Sequence, residues 1–257
     1  MSSVLVLADF ASDFEDAIDF LLHKRESVSG GIQVGGSEMI DFTINHLKLS
    51  ALAVLVACAI SMPIGLWLGH IRKGEFIAVT VSNVGRAVPS LALLAFFVAY
   101  LGAGFLNVTV VLVLLAIPPI LTNTYVGVTQ ADPETVDAAR GMGLTETQIV
   151  SRVELPLALA LIFGGIRTSS VNVVATATIA PLASVDTLGT PIISANVYGD
   201  SGRLGAAIAV ALLTVFVDVA LSWVQRAVTP KGLKLSARTQ EARRLPSLRL
   251  RGGQQPT

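Results

Sequence analysis

Apolar runs long enough to cross a membrane recur along this chain, set apart by short polar stretches. Runs over 47–69, 76–101, 106–128, 157–180 and 205–225 each supply the roughly 20 apolar residues that a helix needs to span a hydrocarbon core about 30 Å thick. The stretch ahead of them is different. Over 4–22 the apolar positions recur at helical spacing around Asp9, Asp13, Glu15, Asp16 and Asp19, which predicts an amphipathic helix rather than a span. Residues 25–38 are rich in Gly and Ser and predict a loop. Residues 39–46 predict a short helix leading into the first span, able to lie along the surface. The segment 181–204, rich in Pro, Gly, Ser and Asn, holds no run of span length. The pattern predicts an all-α membrane protein with about five core transmembrane helices plus an N-terminal amphipathic helix.

The longest polar interruption between the first and last runs is 132–156, DPETVDAARGMGLTETQIVSRVELP. It predicts two short helices meeting at glycines. Asp132 is placed to cap the first, with Pro133 at the first helical position, where a missing N–H is harmless. Glu134 and Asp137 bring negative charge to the positive end of that helix. Gly141 and Gly143 end it, because glycine enters left-handed backbone without penalty. Thr145 and Gln148 have the spacing of a capping box for the second helix. Ile149 and Val153 then share a face, and Pro156 leads into the next apolar run. Such a knuckle between spans presents a rigid, shaped surface outside the membrane.

Composition agrees with a membrane location: 53% of the 257 residues are hydrophobic and 14% are charged, against about 25% charged in a typical soluble domain. The single Cys58 excludes an intrachain disulfide, and His23, His46 and His70 have no ligand spacing with it or with one another, so no metal site is expected. No HExxH, GxSxG or Walker A pattern occurs. No catalytic residue is expected in this chain, and ATP energy would have to come from elsewhere. The N-terminus lacks a basic region before its short apolar patch, so no cleavable signal peptide is expected.

The zero net charge hides an asymmetry: the first 20 residues are acidic and the last 32 basic. With five spans, the turn after the first span (Arg72, Lys73), the knuckle (Arg140, Arg152) and the tail share one side, and the acidic N-terminus with Lys24, Arg25 and Arg203 takes the other. The excess of basic residues predicts that the knuckle and C-terminus are cytoplasmic and the N-terminus is outside. Three regions follow. Residues 1–38 form an amphipathic helix and loop on the extracellular side. Residues 39–228 form the transmembrane domain with its cytoplasmic loop 132–156. Residues 229–257 form a basic cytoplasmic tail, expected to be partly disordered, beyond roughly residue 236.

Several positions inside the spans carry polar chemistry. Pro63, Pro89, Pro118 and Pro119 free backbone carbonyls, which are tolerated only against protein or a water-filled path. Asn83, Asn123 and Asn172 are polar groups expected to face other helices or such a path. With Arg86, Pro89 and Tyr125 they make the candidate lining of a translocation path. Gly65 and Gly69 have the small-xxx-small spacing that permits close helix contact. Arg167 lies roughly 16 Å along a helix from Pro156. Asp218 lies eight residues before Arg226, near the same end of the last span. Their depths overlap, and intramembrane charges usually pair, so Arg167 and Asp218 are a candidate buried ion pair, with Arg86 an alternative partner.

The knuckle resembles the cytoplasmic loop of permease subunits of ATP-driven importers, in which E-A-A is followed after three residues by G and after nine more by I-x-L-P. The matching positions are Asp137, Ala138, Ala139, Gly143, Val153, Leu155 and Pro156, with Asp for Glu and Val for Ile. Further stretches resemble the permeases for glycine betaine, carnitine and choline: Val88-Pro89-Ser90-Leu91-Ala92-Leu93-Leu94, Pro119-Ile120-Leu121-Thr122-Asn123-Thr124-Tyr125, Gly165-Ile166-Arg167-Thr168-Ser169 and Thr229-Pro230-Lys231-Gly232-Leu233. The likeness covers about 40–235 and leaves out the N-terminal 38 residues. It implies a type I ABC importer permease in the cytoplasmic membrane of a prokaryote. A second permease, the same chain or a paralogue, would pair with it across the path. Two ATPase subunits, which bind the ATP and Mg2+, would dock on the knuckles, and an extracellular substrate-binding protein would deliver the solute. No cofactor in this chain and no nucleic-acid partner are implied. A permease for another small solute such as an amino acid, and a membrane-embedded enzyme or assembly factor, stay open as alternatives.

Overall fold

A computed structural model describes residues 2–229, with side chains described from residue 12 onward except that of Arg86. The basic tail beyond Thr229, with its expected disorder and the Pro230–Leu233 part of the family-like motif, lies outside the described residues.

Helix α1 (Ser2–Leu22) carries the acidic amphipathic stretch. Where a loop was expected, strands β1 (Lys24–Glu26) and β2 (Gln33–Gly35) pair antiparallel, Arg25 opposite Val34. The glycines counted as loop-formers are what make this hairpin: Gly30 and Gly31 turn it at φ of 78°, and Gly35 and Gly36 leave it at positive φ. Residues 39–46 are not a separate helix. They open α2 (Ser37–His70), one unbroken helix of 34 residues. Its buried face, from Phe42 through His46, Leu49, Ala53 and Ala57, keeps helical spacing across the expected break, so nothing stops the helix there.

The second run, expected as one span, is two helices, α3 (Glu75–Ala87) and α4 (Ser90–Leu101), whose axes bend by 87°. Pro89 is the cause: its ring excludes helical backbone at Val88, which adopts φ −76° and ψ 120°. The third run is α5 (Phe105–Thr129), which keeps Pro118 and Pro119 inside it. The knuckle follows as α6 (Pro133–Gly141) and α7 (Glu146–Ile149). A π-helical turn, Val150–Glu154, runs without a break into α8 (Leu155–Thr176). Pro156 does not interrupt it and stands directly after the π turn, in the first turn of α8. A 3-10 turn, Ala177–Ala183, and the short α9 (Gly189–Ile193) lead to α10 (Ala195–Val228). The last helix thus starts ten residues earlier than the apolar run, and Gly199 (φ 71°, ψ −179°) kinks it.

Among the described residues, four stretches are long and apolar enough to cross a membrane: α2, α5, α10 and the continuous helical run Glu146–Ala183. The bent pair α3–α4 makes a fifth when its two helices are taken as one broken span. It starts beside α5 where Thr122 Oγ1 donates to the Ala78 carbonyl at 3.2 Å. It climbs past Pro118, against which Gly85 packs, and ends with Leu94 in the core formed by Val108 and Leu112. The bundle centres on α5, which packs against α2 and α8. Small residues let the backbones approach: a Cβ on Gly65 would lie 2.7 Å from Thr124 Cβ, and one on Gly69 2.6 Å from Val128 Cβ. The glycine spacing seen in the sequence is therefore a helix contact. The outward faces of α2 and α10 are apolar (Leu55, Ile64, Leu212, Phe216), and Trp67 and Trp223 lie exposed near the knuckle end, where aromatic rings suit a membrane–water interface.

At the opposite end, α1 packs on α10 with Ala17 and Phe20 against Gly205 and Gly202. The hairpin reinforces the kink: the Val197 carbonyl accepts from Ser27 Oγ at 2.8 Å and from the Val28 N–H at 3.1 Å, while Arg25 donates to Ser201 Oγ and stacks over the Phe20 ring.

Candidate functional site

The knuckle is a small folded unit with its own core. The Asp132 carboxylate accepts from the Glu134 N–H at 3.1 Å, with Pro133 in the first turn. Thr145 and Gln148 form the reciprocal capping box, with bonds of 3.4 and 2.9 Å. Gly143 sits between them at φ 87° and sets the angle of the two helices. Under this frame Ala131, Val136, Ala139 and Ile149 pack together with Leu144 and Val153.

That packing divides the motif residues by role. Ala139 is 2% exposed and belongs to the interior of the knuckle. Asp137, Ala138, Gly141 and Gly143 are exposed, as is the large apolar Met142 at 76%. Val153, Leu155 and Pro156 are half-buried where the π turn joins α8. The outward surface is therefore made by Asp137, Ala138 and Met142, and Ala139 supports it from inside.

Charge ties the knuckle to itself and to α2. Arg140 donates from Nε and Nη2 to Glu146 at 2.9 and 3.1 Å, and from Nη1 to Asp137 at 2.8 Å. The hydrogen bonds it donates to Glu146 raise the guanidinium above its ordinary pKa. His70, the last residue of α2, contacts Glu146 at 3.1 Å and Glu154 at 2.8 Å. Arg72 donates to the Ala131 carbonyl at 2.7 Å. Nothing in their local pattern marks His70, Arg72 or Glu146 as site residues. One signal was available: Glu154 is an acid between Val153 and Leu155, at the start of an apolar run.

A second polar group lies within the bundle. Arg167 on α8 donates to Asp218 on α10 from Nε to Oδ1 at 3.0 Å and from Nη2 to both carboxylate oxygens at 2.9 Å. Arg167 Nη1 also donates to Gln225 Oε1 at 3.2 Å, and Gln225 Nε2 to the Ala160 carbonyl at 2.9 Å. Asp218 and Gln225 stand seven residues apart, two turns, so one face of α10 serves a single guanidinium. The pair borders a cavity of about 420 Å³ with Gly164, Thr168, Val171 and Asn172. Asn172 also lines a second cavity, with Gly85, Val88, Ser90, Pro118 and Thr176, at the α3–α4 bend.

The remaining path candidates separate. Asn172, Asn83 on α3 and Pro89 at the bend are exposed, whereas the side chain of Arg86 lies outside the described residues. Asn123 is half-buried, donates to the Pro119 carbonyl of its own helix at 2.8 Å and packs against Gly165. Tyr125 is 8% exposed, inside the bundle. These last two sit within the packing of α5 against its neighbours. Among the described residues, no group of His, Cys, Asp and Glu is arranged to hold a metal ion.

Comparison with known proteins places this geometry among transport proteins. The family described as binding-protein-dependent transport system inner membrane component matches residues 61–232. The glycine betaine/carnitine/choline transport system permease protein OpuCB of Bacillus subtilis (strain 168) is 35% identical over 204 residues, 79% of this chain and 94% of that protein. The carnitine transport permease protein OpuCB of Listeria monocytogenes is 36% identical over 203 residues, 79% and 93% of the two chains. Among solved structures, an inward-facing form of the MetNI methionine ABC transporter matches with a TM-score of 0.65 at 22% identity, covering 75% of this chain and 96% of that one.

Proposed function

The chain belongs to the binding-protein-dependent transport system inner membrane component family, and from that premise we propose that it is the permease for quaternary ammonium osmoprotectants: glycine betaine, carnitine and choline. It is a transporter subunit with the type I ABC importer permease fold, not an enzyme. The observation that carries the substrate class is the match of 35–36% identity across nearly the whole of relatives whose names give those solutes. The likeness to the methionine importer, at 22% identity, is one of fold and does not favour an amino acid as cargo.

In this reading two permeases, identical or paralogous, face each other across the path, and an extracellular binding protein delivers the solute. Two ATPases bind ATP and Mg2+ and dock on the exposed knuckle residues Asp137, Ala138 and Met142. The spans alternate between outward- and inward-facing states as the knuckles move. The path candidates with support from geometry are Asn83, Pro89 and Asn172, at and below the α3–α4 bend. A solute with a fixed positive charge gains from polar but uncharged lining, and Arg167, already paired with Asp218, presents little free charge to it. Uptake of radiolabelled glycine betaine, carnitine, choline and an amino acid mixture, in cells lacking other importers and expressing the complete system, tests this. Accumulation of the quaternary ammonium solutes is expected. Accumulation of amino acids alone would sink the substrate assignment.

The orientation proposed is the knuckle in the cytoplasm and α1 with the hairpin outside. It rests on the charges: Arg72, Lys73, Arg140, Arg152 and Arg226 gather at the knuckle end, against Lys24, Arg25 and Arg203 at the other. In a Cys58→Ser background, Ile32→Cys at the exposed hairpin should react with an impermeant maleimide on intact cells. Thr147→Cys on the knuckle should react only after lysis. The reverse pattern would invert the topology.

A further inference from the structure

His70, the last residue of α2, packs against the knuckle, and its imidazole is caught between two carboxylates from different parts of it. Nδ1 lies 2.8 Å from Glu154 Oε2 in the π turn, and Nε2 lies 3.1 Å from Glu146 Oε2 on α7. Each ring nitrogen thus faces its own carboxylate oxygen, so one side chain joins two parts of the knuckle. The Glu154 side chain is 2% exposed and that of His70 9%. A carboxylate so deeply buried is tolerated only with a partner, and His70 Nδ1 at 2.8 Å is that partner. The contacts continue outward. Glu146 takes Arg140 at 2.9 Å, and Arg140 takes Asp137 at 2.8 Å. An unbroken series, Asp137–Arg140–Glu146–His70–Glu154, thus runs from the exposed face of α6 through α7 to the π turn, and its hinge point is the end of α2. Two further contacts hold the same junction: Arg72 on the Ala131 carbonyl and Gly69 on Val128.

The π turn gives the arrangement its reach. An extra residue in the helical turn rotates the backbone, and here the turn ends with Glu154 directed inward at His70 while Val153, one residue earlier, packs into the knuckle core.

We propose that His70 is a positioning residue for transport: its bridge to Glu146 and Glu154 makes the end of α2 and the knuckle one rigid body, so that displacement of the knuckle by the ATPases is carried into the first span. Without it the knuckle would still hold its fold through its own core and caps, and would still present its outward face. Its motion would be absorbed at the junction. The inference rests on the chain being the moving subunit of an ATP-driven importer and does not depend on which solute is carried.

The test uses the complete importer in proteoliposomes, with His70→Gln, the neutral pair His70→Gln with Glu154→Gln, and His70→Lys, which keeps a donor for the carboxylates. Two quantities are read: solute accumulated per ATP hydrolysed, and the distance between spin labels at Lys73→Cys and Thr147→Cys (in a Cys58→Ser background) with and without ATP. In the parent the label distance should not change with nucleotide. In His70→Gln and in the neutral pair it should become nucleotide-dependent, and uptake per ATP should fall about tenfold, the scale on which coupling networks respond to single changes. ATPase copurification should persist, and His70→Lys should recover most of the coupling. Unchanged uptake per ATP with an unchanged label distance in the neutral pair overturns the proposal. So does loss of ATPase copurification and protease resistance in every variant, which would make His70 a residue of the fold alone. If the parent accumulates no quaternary ammonium solute, the substrate assignment fails and the label distances decide this one by themselves.

Discussion

Ala139→Glu is expected to abolish uptake and ATPase association together, whereas Ala138→Glu, one residue away, should leave the knuckle folded. Ala139 is 2% exposed among Ala131, Val136, Ile149, Leu144 and Val153, none of which offers a partner to a carboxylate. Burying an uncompensated charge there costs on the order of several kcal/mol, more than a unit of this size can hold against. The expected signature is rapid hydrogen exchange over 133–154 with the spans still protected. Ala138 is exposed, so a glutamate there changes the outward surface and weakens docking without loosening the knuckle's amides. Gly143→Val should fall between them. A Cβ at Gly143 meets nothing within 4 Å, so the penalty is conformational, about 1–2 kcal/mol for left-handed backbone. Equal exchange in Ala139→Glu and the parent would remove the core role given to Ala139.

Asp218→Ala should lower the folded yield in detergent more than the double change Arg167→Leu with Asp218→Leu. The single change leaves Arg167, only partly open to its cavity, with Gln225 alone. The double change removes both charges and fills the space with apolar volume. Breaking a fully buried pair costs about 3–5 kcal/mol, while replacing both members by hydrophobic residues is often neutral. The two side chains are 31% and 36% exposed toward their cavity, so about half of that cost is expected for Asp218→Ala, with screening taken into account. Thermal denaturation of the purified permease, read by fluorescence of Trp67 and Trp223, orders the variants. A double mutant as unstable as Asp218→Ala would show that the pair does not tie α8 to α10.

The sequence by itself determined the class of this protein and the local design of its knuckle. Apolar runs of span length can be satisfied only by helices crossing a membrane, whatever their packing. The knuckle was legible because every signal in it is local. Asp132, Pro133, Gly143, Thr145 and Gln148 act on backbone groups within four residues of themselves, and the structure has each cap where the spacing put it. The depth of Arg167 and Asp218 was also countable along single helices, and their side chains meet in the fold. Other features belonged to the tertiary structure, because they depend on what lies opposite. Hydropathy does not register a bend, so 76–101 read as one span although Pro89 turns it by 87°. The hairpin at 24–35 escaped notice because its strands are three residues each and their hold comes from α10, whose kink at Gly199 leaves the Val197 carbonyl for Ser27 and Val28. Ala138 and Ala139 are indistinguishable as letters, and only the closure of α6 on Ile149 puts one outside and the other in the core. His70 and Glu154 are 84 residues apart. No periodicity connects them, and the contact exists because α2 and the start of α8 both pack on α5.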